Sequence, residues 1–153
     1  NNDRVENGLR FQLSQEESEK LSNGDIDKIS SELNLLPEEL VNRLFNLYDS
    51  SNSLDAAYKE LGWESGQGAM GIDPLREGKR VFNNFKNDIQ NAICSYEPLR
   101  IYCEKMQVIE GVTSAGLILG GLIASKTHGI DIVSVSIILS RIGIKKICES
   151  KWS

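Results

Sequence analysis

Three cysteines, a single histidine and a short run of glycines are the residues whose types first suggest chemistry. A nucleophilic thiol needs a base to take its proton, and His128 is the only histidine that could serve Cys94, Cys103 or Cys148. The cysteines stand at no metal-binding spacing, and one histidine cannot complete a Cys/His zinc set with them. Each lies among apolar residues, which predicts reduced, buried thiols in a cytoplasmic protein rather than a disulfide or a nucleophile. Gly66, Gly68 and Gly71 spell G-x-G-x-x-G. That pattern cradles a pyrophosphate when it follows a strand and opens a helix. Here it follows a helical stretch ending at Gly62-Trp63, so a connector is expected and a nucleotide cofactor is not. The sequence therefore predicts no catalytic residue, no cofactor and no metal.

Binding is the better-motivated chemistry. Trp63, Met70 and Ile72 are large apolar residues within the glycine-rich stretch, placed to pin it over a groove or onto a partner. A helix start at Asp73-Pro74 follows, and its free N–H groups lie next to Arg76, Lys79 and Arg80, where an acidic partner surface or an anion could sit. These six residues form the candidate partner-binding set. The formal charge of −5 argues against nucleic acid as a partner, because phosphate binding needs a basic footprint. The charge is uneven: residues 1–60 carry thirteen acids and six bases, and the remainder nine acids and eleven bases. The acidic half could complement the basic half, or each could face a different partner; a homo-oligomer is also possible.

One segment has a recognisable outline. Ile29–Leu44, ISSELNLLPEELVNRL, resembles a bacterial helix-turn-helix, with Ser30 and Asn34 four apart and a proline-led second helix. The resemblance implies that this second helix enters a major groove. Its polar set is Glu38, Glu39, Asn42, Arg43, Asn46 and Asp49, and two leading glutamates would repel phosphates. A plain helix-packing unit is the expectation.

The elements that must position these residues read as helices throughout. Residues 1–13 have no periodicity and suggest a flexible arm. Residues 14–62 predict a four-helix part: a capping box at Ser14 and Glu17, a helix capped by Asp25, a third led by Pro37, and LDAAYKELGW closed by Gly62. Residues 63–73 form the expected glycine-rich connector. Residues 74–153 predict a C-terminal helical part, beginning with a long amphipathic helix to about Tyr96, where Pro98 intervenes. Its end, residues 111–148, is an apolar helical hairpin. The stretch IVSVSII alternates like a strand, but apolar residues continue past it and favour helix. Gly111–Ser125 is uncharged for fifteen residues, about 22 Å as helix, whereas a bilayer core needs roughly 20 residues. Thr113, Gly116, Gly120 and Ala124 make a small-residue stripe that would let a second backbone come close.

The expected architecture is an all-α compact bundle of seven or eight helices. The leading function is a small cytoplasmic interaction or regulatory module that docks a protein partner. A membrane-acting effector inserting residues 111–148 is the first alternative, a helix-turn-helix-like regulator the second, and a thiol enzyme the last.

Overall fold

The computed structural model describes residues 11–66, 71–106 and 111–152. Among them are nine helices and no strand: α1 (Gln15–Lys20), α2 (Asn23–Asn34), α3 (Glu38–Ser50), α4 (Leu54–Gly66), α5 (Pro74–Cys94), α6 (Glu97–Lys105), α7 (Val112–Ala124), α8 (Ile132–Ile142) and α9 (Ile144–Trp152). The protein is an all-α bundle, with one helix more than expected because Gly143, at φ +106°, separates α8 from α9. Met70, Gly68 and the first ten residues of the arm lie outside the described residues.

Local chemistry sets most of the boundaries. The Ser14 hydroxyl accepts from the Glu17 amide at 3.1 Å, and the Glu17 carboxylate accepts from the Ser14 amide at 2.8 Å, closing the capping box that starts α1. Ser22, not Asp25, caps α2 by accepting from the Asp25 amide. Pro37 is the cap residue of α3 rather than its first helical residue. Asp73 accepts from the Leu75 amide at the start of α5, with Pro74 at the first helical position.

The apolar C-terminal segments occupy the middle. α7 packs against α2, α3, α5, α6 and α8, while α8 packs against α3, α4, α7 and α9. Every residue from Thr113 to Leu122 is buried, and each leucine or isoleucine so enclosed contributes about 2 kcal/mol of transfer free energy. The surrounding helices supply single apolar stripes: Ile29 and Leu33 from α2, Val41 and Leu44 from α3, Val81, Phe82, Ile89 and Ile93 from α5. Among the described residues, no helix is long and apolar enough to cross a membrane.

The strand-like alternation in α8 has a simple helical solution. Ser136 donates to the Ile132 carbonyl at 2.7 Å and Ser140 to the Ile137 carbonyl at 2.8 Å. Serine hydroxyls turned back onto their own helix need no outside partner, so they can sit in the core. Ser134 bonds instead to Asp131, which also takes both guanidinium nitrogens of Arg43 at 2.6 Å. That fork ties α3 to the entry of α8. Arg141 donates to the Tyr48 carbonyl at 3.1 Å and lies 4.7 Å from the centre of the Tyr48 ring, so its charge meets the C-terminal end of α3.

Three expectations need correction. Cys94 and Cys148 are joined in a disulfide with Cα atoms 5.4 Å apart, so only Cys103 is a free, buried thiol. The two partners are 54 residues apart, and what brings them together is the crossing of α9 over the end of α5, which no local spacing encodes. Gly62 does not close α4, which continues for another turn to Gly66. It is the point of closest approach to α5 instead: a Cβ there would lie 1.8 Å from the Pro74 oxygen, and one on Gly78 would lie 1.9 Å from the Tyr58 oxygen. Finally, the small-residue stripe of α7 admits side chains, not a backbone. A Cβ on Gly116 would meet the Phe11 ring at 2.5 Å, and Gly120 and Gly121 lie under Tyr96.

Candidate functional site

The α4–α5 hairpin brings part of the predicted set together. Because Gly62 faces Pro74 and Gly78, Trp63 and Arg76 fall at the same level of two closely packed helices. Trp63 belongs to the last turn of α4 rather than to a loop, and 53% of its surface is exposed. Only Leu35, in the α2–α3 turn, is a comparably exposed large apolar residue among those described. Ile72 is half-buried, its side chain reaching back over Gly66.

The three basic residues of the set differ in what they touch. Arg80 is engaged in a forked bond to Glu77 at 2.8 Å, which holds the Glu77 carboxyl below the usual range. Lys79 lies 5.9 Å from the centre of the Tyr58 ring. Arg76 is exposed and is in no ion pair among the described residues. The α5 N-terminus is already occupied by the Asp73 carboxylate. An anion is therefore better placed along the α5 flank, at Arg76 and Lys79, than at the helix end.

Further along α5 lies a feature that the sequence did not reveal. A groove of about 590 Å³ runs between α5, α8 and α9. Its apolar surface comes from Tyr58, Phe82, Ile89, Leu139, Ile142 and Ile147, and Lys86, Lys146 and Glu149 stand on it with Asn83, Gln90 and Ser150. The disulfide, the Gln90 amide bonded to the Ile147 carbonyl at 2.8 Å and the Trp152 indole bonded to the Cys94 carbonyl at 2.7 Å fix α9 as its wall. Tyr58 connects the groove to Lys79, so one cationic flank serves both places. Neither Lys86 nor Lys146 is ion-paired among the described residues. The only sequence signal was the basic side of α5, since the groove needs α9 folded across it.

The thiols offer little nucleophilic character. Burial pushes the Cys103 thiol up to about 12, with nearby Lys145 opposing, so it stays protonated at neutral pH. The other two are spent in the disulfide. Tyr96 and Tyr102 are also held neutral by burial and by hydrogen bonds to Glu32 and Glu17. In the helix-turn-helix-like segment, Arg43 is turned onto Asp131 and Glu64, so the one cation on α3 faces the protein.

No family model matches the chain, and neither a curated protein nor a solved structure does.

Proposed function

We propose that the protein is a helical docking module that binds an acidic segment of a partner protein at the α4–α5 hairpin. The observation that carries this is Trp63, half-exposed beside a helix flank whose Arg76 and Lys79 have no carboxylate partner among the described residues. Tryptophan and arginine are the residues that concentrate binding energy at protein interfaces, and nearby cations select and orient an acidic partner. Met70 and Ile72 flank this surface in sequence, and Arg80 adds a cation once it leaves Glu77.

The competing readings gain less support. Insertion of residues 111–148 into a bilayer would have to undo the Arg43–Asp131 fork and withdraw α7 from four surrounding helices besides α8. Reading DNA with α3 would have to rely on a helix whose only cation is engaged elsewhere. The Cys94–Cys148 disulfide favours oxidising surroundings over the cytoplasm, since reducing compartments keep thiols apart.

Quantitative co-purification from the source cells tests the proposal in three arms: wild type, Trp63→Ala, and Arg76→Glu combined with Lys79→Glu. One acidic protein should be lost from both variants and from wild type at high salt, while each variant keeps stability within about 0.5 kcal/mol of wild type. If no protein responds to both changes, the surface is not a docking site.

A further inference from the structure

The groove between α5, α8 and α9 points to a second, chemically different ligand. We infer that it takes one free long-chain carboxylate, the alkyl chain lying along the half-buried Tyr58, Ile142 and Ile147 and the head between Lys86 and Lys146.

Three observations fix the class. The volume, about 590 Å³, lies in the range of roughly 300–1,000 Å³ typical of small-ligand sites. The lining divides evenly between six aromatic or aliphatic side chains and six polar ones, so an amphiphile finds surface for each of its two ends. The charge balance sets the head group: Lys86 and Lys146 against Glu149 leave one net positive charge, which suits a monoanion better than a doubly charged phosphate.

The wall supplied by α9 keeps the site formed without ligand. Its fastening to α5 by the disulfide and two side-chain hydrogen bonds means that little ordering is required on binding. Gln90 directs one amide N–H to the Ile147 carbonyl, and Lys86 and Lys146 are the two cationic groups on the lining.

Calorimetric titration of the disulfide-intact protein with dodecanoate, kept below its micelle threshold, tests this. One site per chain is expected, with dodecanol at least about tenfold weaker, the difference a charge-assisted contact makes. Lys86→Ala with Lys146→Ala should remove that preference and leave dodecanol binding unchanged. Asn83→Trp, at an exposed position on the groove, should weaken both ligands by obstruction. Equal affinity for acid and alcohol, no saturable heat for dodecanoate, or a preference that survives loss of both lysines would each overturn the inference. None of these outcomes depends on Trp63 or Arg76, so the docking proposal stands or falls separately.

Discussion

Glycine lets the two helical hairpins of this bundle close in different ways. In the outer hairpin, α4–α5, Gly62 and Gly78 bring two backbones together, and there is no side chain between them to yield. In the inner hairpin, α7–α8, the glycines of α7 receive Phe11 and Tyr96 from the enclosing segments. The outer hairpin is thus matched to itself, and the inner one to its surroundings. Tyr96 shows the second principle well: its ring covers Gly120 and Gly121 while its hydroxyl donates to Glu32 on α2 at 2.7 Å. One residue type produces self-closure in one place and a socket in another.

The largest test acts on the tie between the hairpins. The disulfide fastens α9, which continues the inner hairpin, to the C-terminal end of α5 in the outer one. A bond closing a loop of this length, 54 residues apart in sequence, restricts the unfolded chain by about 4 kcal/mol on the loop-entropy model. Reduction, or Cys94→Ser with Cys148→Ser, should lower the denaturant midpoint accordingly. A midpoint that does not move would mean that α9 is held without the bond.

Glycine substitution tests the contrast itself. Gly78→Ala forces a methyl against the Tyr58 carbonyl and should cost about 3 kcal/mol in chemical unfolding, because two backbones would have to part. Gly116→Ala meets the ends of the Phe11 and Leu33 side chains, which can swing aside, so about 1 kcal/mol is expected. Equal costs would erase the distinction between the hairpins.

The smallest effect is electrostatic and lies where the hairpins meet. Burial raises the pKa of Glu60 on α4, with repulsion from Glu64 adding and Arg43 opposing. A carboxyl with a higher pKa folded than unfolded holds its proton more readily in the native state, so stability falls as pH rises through that range. Glu60→Gln should therefore raise the melting temperature slightly at neutral pH and leave it unchanged in acid below the carboxylate range. The opposite pH dependence would place Glu60 with Arg43 rather than against Glu64.

What the sequence revealed, and what it hid, follows from the range of the forces involved. Ser14 with Glu17 and Asp73-Pro74 announce helix starts because a cap is settled within three residues. The burial of Thr113–Leu122 was legible from the uncharged run Gly111–Ser125 around it. Gly62 was misread because a helix stop and a helix crossing call for the same small residue. Cys94–Cys148 and the groove were illegible for a common reason: both depend on where α9 lands. Of the predicted contact set, Trp63 and Arg76 stand on adjacent turns of the α4–α5 hairpin, whereas Arg80 is diverted by its own neighbour Glu77.

The seating of Phe11 on Gly116 has a consequence for biosynthesis. A ribosome delivers Phe11 long before the glycine that accommodates it, so α2 and α3 emerge with their greasy sides unmatched. Only when α7 clears the exit tunnel can the early and late ends of the polypeptide close around each other, which makes completion of the interior a late, long-range event in the life of each new molecule.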